Sequence, residues 1–156
     1  MTNNDAIPMA TDPTNGFEQS VNFDYRFLRN KRDQFNITIQ DTDAATGANY
    51  GAFVIIPAAC TVEEVWETHK TAGTDGGAVT LDIEKLTSGV ALDSGTTVLS
   101  TALSLKTTAN TPQQGTLNAD ISRRQLARGD RLALKDAGTL TSVAHVTVSI
   151  IIRYRN

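Results

Sequence analysis

The chain has 156 residues, a formal net charge of −3 and one cysteine, Cys60, which suits a single domain with its own core and excludes an intrachain disulfide. The acidic balance gives no support to nucleic-acid binding, which usually requires a basic surface, so no nucleic-acid partner is expected. No apolar run approaches the roughly 20 residues that a membrane-spanning helix needs, and the polar N-terminus lacks the apolar stretch of a secretory signal, so no membrane partner is expected either.

The first 34 residues are predicted to form an extended N-terminal arm. Residues 1–16 are polar, with two prolines and almost no bulky side chain, so they cannot bury enough surface to fold alone. Residues 17–35 differ because most aromatic residues of the chain lie there, interleaved with arginine and lysine. Aromatic residues and arginine dominate the energetic hot spots of protein interfaces. A nucleic-acid platform and a solvated basic face are the alternatives for this pattern.

The arm supplies the candidate interface residues of the chain. An ordered arm needs many contacts, since fixing each backbone residue costs about 1–2 kcal/mol of conformational entropy. We therefore predict that the arm contacts a neighbouring subunit or another protein, and that residues 35–156 form the folded domain. The predicted interface residues are Phe17, Phe23, Tyr25, Arg26, Phe27, Arg29, Lys31 and Arg32.

Alternation of apolar and polar side chains predicts β-strands along the rest of the chain. The first two strands are residues 35–40 and 50–56, joined by a loop. Asp41 and Asp43 in this loop lack the spaced acidic ligands and the distal glutamate of a calcium loop, so a solvated turn is favoured.

Residues 61–70 fit two structures. Their apolar residues recur at helical spacing, and Thr61 with Glu64 forms a capping-box pattern. As a strand, the same segment would form a β-hairpin with the clearly alternating strand 78–86 across the glycine-rich segment 71–77. We predict the hairpin.

The following part of the chain is predicted to contain short elements. Residues 96–105 form an irregular strand and residues 106–114 a loop. Residues 121–127 form a single helical turn that Gly129 ends. Residues 131–135 form a short strand.

The clearest element is the last one, residues 144–155, which follows a turn over residues 136–142. Every second side chain is β-branched or aromatic, and most of the others are polar, as in a half-buried strand. A strand of this length is expected inside a sheet rather than at its edge. About eight strands joined by Gly, Asp and Thr turns predict an all-β fold, an antiparallel β-sandwich of jelly-roll type.

No residue pattern indicates a catalytic, cofactor-binding or metal-binding site, so we predict that the protein is not an enzyme. His69 and His145 stand at no motif spacing from a nucleophile or carboxylate, and no Gly-x-Ser-x-Gly elbow occurs. The segment 75–77, Asp-Gly-Gly, is not followed by the Lys-Ser/Thr of a phosphate loop. Cys60 is expected to be a small buried side chain. Residues 128–130, Arg-Gly-Asp, match an integrin-binding tripeptide, but a turn before the next strand explains them.

Two stretches carry a resemblance to a known class: TAGTDGGAVTLDIEK at 71–85, and LARGDRLAL at 126–134 before a glycine turn and the last strand. Over roughly residues 50–155 the chain resembles small β-sandwich virion proteins of tailed bacteriophages, the head decoration or cement proteins. The resemblance implies a non-enzymatic protein that binds the major capsid protein on the outer surface of the capsid, often as a homotrimer, and stabilises the shell. The alternative is a carbohydrate- or receptor-binding sandwich of a phage fibre, with Trp66, Tyr50 and Tyr154 as aromatic candidates.

Overall fold

The computed structural model of the chain describes residues 31–41, 52–140 and 142–155. These residues form ten β-strands and one short helix. Residues 1–30 of the predicted arm lie outside the described residues. In chain order, the elements are β1 (Arg32–Asp41), β2 (Ala52–Ile55), β3 (Cys60–Thr68), β4 (Val79–Leu86), β5 (Thr96–Thr97), β6 (Leu103–Ser104), β7 (Gln113–Gln114), α1 (Ile121–Arg124), β8 (Gln125–Leu126), β9 (Arg131–Gly138) and β10 (Ala144–Tyr154).

The strands form two antiparallel sheets that pack as a sandwich. The first sheet has the order β1-β10-β3-β7, with β8 also paired to β3, and the second has the order β2-β9-β4-β5, with β6 also paired to β4. β5 and β6 both pair with β4, and β7 and β8 both pair with β3, so each of these two pairs counts as one strand. The resulting eight strands have the sheet order of a jelly roll. The predicted antiparallel β-sandwich of jelly-roll type is therefore confirmed.

The last strand, β10, is the centre of the first sheet. It pairs with β1 on one side and with β3 on the other, as expected for a long strand inside a sheet. Val146, Val148, Ile150 and Ile152 are at most 1% exposed. They alternate with half-exposed side chains, so the period-two pattern of the sequence gives the core face directly.

The core lies between the inward faces of the two sheets. Aliphatic side chains of β4 and β9 meet those of β3 and β10, and burying each large one stabilises the fold by about 1.5–3 kcal/mol. Phe35 and Ile37 of β1 pack against this core while staying partly exposed, because β1 is an edge strand. The strand begins at Arg32, before the predicted residues 35–40, because Arg32 already pairs with Arg153.

The segment at residues 61–70 is a strand as predicted, but the predicted hairpin is wrong. β3 and β4 lie in different sheets, and the chain between them crosses the end of the sandwich. Gly73 does not form a tight hairpin turn; instead a Cβ at this position would lie 2.7 Å from Val79 Cγ1. Each strand has an apolar face that must be buried in the core. The two strands can do so from the same sheet or from two facing sheets, so their alternating patterns do not show whether they pair with each other.

Two other predictions need correction. The helical turn ends at Arg124, because Gln125 and Leu126 pair with β3 as strand β8. Gly129 lies beyond this strand in the following turn, with φ +88°. The predicted turn 136–142 begins too early, since β9 continues to Gly138 along β4. The irregular strand 96–105 appears as β5 and β6, which pair separately with β4.

Candidate interaction surface

The outward face of the first sheet carries both polar and apolar side chains. Rows of side chains run across it from β1 through β10 to β3. One row contains Asn36, Ser149 and Trp66, and a second contains Thr38, Thr147 and Thr68. These side chains face away from the core because their neighbours in sequence face into it.

A β-bulge at Glu63 places one carboxylate between two arginines. The register of β10 against β3 shifts between Ile151 and Ile152, so Glu63 is the extra residue on β3. Its carboxylate lies 2.7 Å from Arg32 Nε and 2.5 Å from Arg153 Nε. The guanidinium of Arg153, with that of Arg32, holds the pKa of the Glu63 carboxyl below its usual range. The bulge thus supplies the counter-charge for two arginines that lie directly opposite each other.

Glu64 connects this ionic cluster to the indole of Trp66. Trp66 Nε1–H donates to Glu64 Oε2 at 2.9 Å, and Arg32 Nη2 donates to Glu64 Oε1 at 2.6 Å. The hydrogen bond from Trp66, with that from Arg32, lowers the pKa of Glu64. The indole nitrogen is therefore already satisfied, and the ring offers mainly its apolar surface to a partner.

Beside Trp66 the sheet carries a shallow cleft of about 290 Å³. The walls combine apolar surfaces from three parts of the chain with a few polar groups. The lining residues are Gln34, Trp66, Glu67, Thr68, Pro112, Thr147, Ser149 and Ile151. Most of these side chains lie on the outward sheet face, so the cleft opens away from the core.

The polar side chains around the cleft bond to one another. Asn36 Oδ1 accepts from Gln34 Nε2 at 2.8 Å and from Ser149 Oγ at 2.6 Å. The hydroxyls of Thr38 and Thr147 lie 3.2 Å apart. Because these side chains already form hydrogen bonds with each other, a hydrogen-bonding ligand would gain less binding free energy here than the polar composition of the surface suggests.

Of the predicted interface residues, Lys31 and Arg32 belong to the described residues. Both are exposed, and Arg32 forms the ion pairs with Glu63 and Glu64 described above. The carbonyl of Lys31 accepts a hydrogen bond from Tyr154 N at 2.9 Å. An interface role for the eight residues remains a prediction, since Phe17, Phe23, Tyr25, Arg26, Phe27 and Arg29 lie outside the described part of the chain.

Of the residues that form this surface, the sequence indicated Arg32 as an interface residue and Trp66 as an aromatic candidate, but not the two glutamates at the bulge. Two consecutive glutamates interrupt the alternation of residues 61–68, and this interruption was the available signal for a bulge. Glu64 also fits the capping box of the helical alternative, which was not the predicted structure. Of the aromatic candidates for a sugar site, Trp66 lines the cleft and Tyr154 is 6% exposed, whereas Tyr50 lies outside the described residues.

His69 belongs to a buried polar network on the other side of β3. Its Nδ1 lies 2.9 Å from Glu67 Oε1, and its Nε2 lies 3.2 Å from the carbonyl of Thr107. Gln113 Nε2 donates to Glu67 Oε2 and to the carbonyl of Ser104. The His69 and Glu67 side chains are fully buried, so the network fastens the segment before β7 to the first sheet.

Two further sequence features have structural roles. Cys60 is fully buried, and burial raises the pKa of its thiol to about 11, as expected for an unreactive core cysteine. In the tripeptide 128–130, Asp130 is 8% exposed and its Oδ2 accepts from Ala127 N at 2.8 Å. The aspartate that a receptor would need therefore closes the turn before β9.

Residues 87–95 cover part of the outward face of the second sheet. Glu84 of β4 is fully buried beneath them, and its carboxylate accepts from Asp93 N at 2.8 Å and from Gly95 N at 2.9 Å. Less of this face is thus open to a partner than of the first sheet. In the parts of the chain described here, no three potential metal ligands cluster, and no helix is long and apolar enough to cross a membrane.

No protein-family model and no curated protein sequence matches the chain, but solved structures are similar to it. A chain described as "Capsid of Ralstonia phage GP4" matches 81% of this chain over 83% of its own length, with 18% sequence identity and a TM-score of 0.56. A chain of "Cyanophage Pam1 capsid asymmetric unit" matches 80% of this chain over 84% of its own, at 15% identity and a TM-score of 0.47. A third chain, from "Bacillus endospore appendages form a novel family of disulfide-linked pili", has 17% identity, covers 81% of this chain and 90% of its own, and has a TM-score of 0.38.

At such low identity the likeness concerns the fold alone. The chain is a jelly-roll β-sandwich, and it shares this architecture with a chain of a bacteriophage capsid structure. The resemblance to phage virion proteins that the sequence indicated is thus supported at the level of the fold.

Proposed function

We propose that this chain is a structural, non-enzymatic protein of a bacteriophage virion. The observation that carries the proposal is the match to a chain of the Ralstonia phage GP4 capsid structure over 81% of this chain. The match extends through both sheets and is therefore not limited to a single motif. The sequence pattern of residues 71–85 and 126–134 leads to the same class.

Within the virion, we assign the chain to the outer surface of the capsid as a decoration protein. Its partner is the major capsid protein, and it assembles as a homotrimer. The open outward face of the first sheet supports this role, because it combines an apolar cleft with a polar border, as protein interfaces do. Arg32, one of the eight predicted interface residues, also lies at this face.

A capsid-binding assay tests this function. Purified chain is added to capsids of the phage that encodes it, prepared without this protein, and bound chain is measured by co-sedimentation. We expect saturable binding at a fixed ratio to the major capsid protein, and a rise in the temperature at which the shells open. Chain that stays in the supernatant and leaves shell opening unchanged would contradict a decoration role.

A matched pair of variants separates the arm from the sandwich. Replacing Arg26 and Arg29 with serine should weaken capsid binding if the arm contacts the shell, whereas replacing the exposed Thr116 with serine should not. Equal binding by both variants would exclude these arginines from the capsid interface. Circular dichroism of each variant checks that the fold is unchanged.

A further inference from the structure

The cleft beside Trp66 has the properties of a site for an apolar group. Three of its eight lining residues are apolar, namely Trp66, Pro112 and Ile151, and most of its exposed wall surface is apolar. The indole nitrogen is already bonded to Glu64. An aromatic side chain would stack or pack edge-on against such a ring, and aromatic pairs contribute beyond their buried area.

A sugar fits these groups less well than an aromatic ring does. Hydroxyl groups of a sugar need free hydrogen-bonding partners, but Asn36 already accepts from Gln34 and from Ser149. Replacing those bonds gives little net free energy, because each new bond is exchanged for an existing one. An apolar guest leaves this network intact.

The chain itself contains suitable aromatic side chains outside the described residues. Phe17, Phe23, Tyr25 and Phe27 precede Lys31, where the described part of the chain begins. At about 3.3–3.6 Å per extended residue, residues 17–27 can lie roughly 15–50 Å from Lys31. That range is enough to reach an adjoining molecule.

The direction of β1 favours a neighbouring molecule over the same one. β1 runs from Arg32, opposite Arg153, towards Asp41, opposite Ala144. The cleft lies along this direction, from Gln34 towards Thr147, so the described end of the chain at Lys31 points away from it, and an arm of the same molecule would have to reverse direction to enter the cleft.

We propose that the cleft beside Trp66 receives an aromatic side chain from residues 17–27 of a second copy of this chain. Each copy then gives one arm and receives another, either reciprocally in a dimer or head to tail around a closed ring such as the proposed trimer. This inference deepens the proposed structural role by naming one contact of the homo-oligomer. Its test uses the purified chain without capsids, so it can fail independently of capsid binding.

Three full-length variants test the proposal by light scattering after size exclusion. The first replaces Phe17, Phe23, Tyr25 and Phe27 with serine, and the second, Ser149→Arg, fills the cleft. The third is a matched control, Ser88→Arg, at an exposed serine in the segment that covers the second sheet. We expect the first two variants to be monomeric, with a measured mass about threefold lower if the ring is a trimer. The control should assemble like the unmodified chain.

Mixing the two monomeric variants distinguishes an arm that binds a neighbour from one that binds its own sandwich. The serine variant has an intact cleft and Ser149→Arg has intact aromatic residues, so the mixture should form a heterodimer. Trp66 is the only tryptophan in the chain, and its fluorescence emission should shift when the heterodimer forms. Circular dichroism confirms that each variant is folded before mixing.

Several results would overturn the inference. The inference fails if the unmodified chain is monomeric, or if the cleft variant and the arm variant both still assemble. It also fails if the mixture of the two variants stays monomeric. A Trp66 emission change in the serine variant without a change in mass would assign the cleft to the arm of the same molecule. A Trp66 response to added oligosaccharides, but none to the arm substitutions, would assign it to a glycan.

Discussion

Asp136 is a buried carboxylate in β9. It lies on the core side of β9, opposite Leu81, and is 5% exposed. Neither carboxylate oxygen has a hydrogen-bond partner among the described residues. Burial raises the pKa of Asp136, and the nearby charge of Asp93 raises it further. A buried polar group without a partner costs about 1–3 kcal/mol of stability.

We expect Asp136→Asn to raise the free energy of unfolding at pH 7 by about 1 kcal/mol, because it removes the buried charge. The pKa of Asp136 is higher in the folded than in the unfolded chain, so the folded state binds the proton more tightly. The contribution of Asp136 to stability therefore falls as the pH rises from about 4, near the unfolded pKa, through the folded pKa. The gain from Asn should be largest at neutral pH and disappear at acidic pH.

Urea unfolding at pH 7 and at pH 4 measures this difference. Asp120→Asn is the control, since Asp120 is exposed and its pKa is lowered by hydrogen bonds from Ser122. Asparagine is as good an N-cap as aspartate, so this variant should show no gain at pH 7. A loss of stability at pH 7 on Asp136→Asn would show that the carboxylate has a stabilising partner.

At the scale of a single element, the bulge in β3 explains how the first sheet accommodates two opposed arginines. Like charges directly opposite each other on neighbouring strands are destabilising. Arg32 and Arg153 occupy such a pair, and the extra residue of the bulge brings Glu63 to both. Removing that carboxylate leaves the arginines opposed, and among the described residues Glu64 still forms an ion pair with Arg32.

We expect Glu63→Gln to lower the melting temperature by a few degrees in low salt. The decrease should shrink in 1 M salt, where the Debye length is about 3 Å. The pKa of Glu63 is depressed in the folded state, so its contribution is present above the unfolded pKa and is lost as the pH falls through the folded pKa. The difference from the unmodified chain should accordingly vanish in acid.

Differential scanning calorimetry at two salt concentrations checks this expectation. Glu64→Gln is the matched variant because Glu64 contacts Arg32 but makes no contact with Arg153. It should lower the melting temperature less than Glu63→Gln does. Equal effects of the two substitutions would mean that the position on the bulge has no special role.

At the scale of the whole molecule, Cys60 reports on opening of the sandwich. It is fully buried in β3, where it pairs with both Tyr154 of β10 and Leu126 of β8. A pKa of about 11 leaves roughly one thiol in a thousand ionised at pH 8. A reagent can therefore reach a reactive thiolate only after these strands separate.

We expect a thiol reagent to modify the folded chain at least about 10³-fold more slowly than the chain in urea. The reason is that folded molecules of an ordinary domain outnumber unfolded ones by a factor of about 10³ or more. The free energy obtained from the labelling rate should equal that from urea unfolding. Mass spectrometry of the alkylated chain gives the rate. A smaller free energy from labelling would show that the first sheet opens locally around Cys60, where β3 pairs with the end of β10 and with β8.

The sequence by itself determined the elements whose pattern is local. The alternation of β10 and β4, the burial of Cys60 and the turn at residues 128–130 all follow from side chains within a few positions of each other. These features were enough for the class of fold, because a strand with one apolar face must pack that face against another sheet.

The tertiary structure decided which strands are neighbours and which side chains form the outward surface. The patterns of residues 61–68 and 78–86 are compatible with a hairpin and equally with strands in two separate sheets. They lie in separate sheets because β3 pairs with β10 and β4 pairs with β9. Asp136 looked like a turn residue because its pairing with β4 depends on residues more than fifty positions away. Glu63, Trp66 and Ser149 come together for the same reason: contacts between distant strands carry no signal in a local pattern.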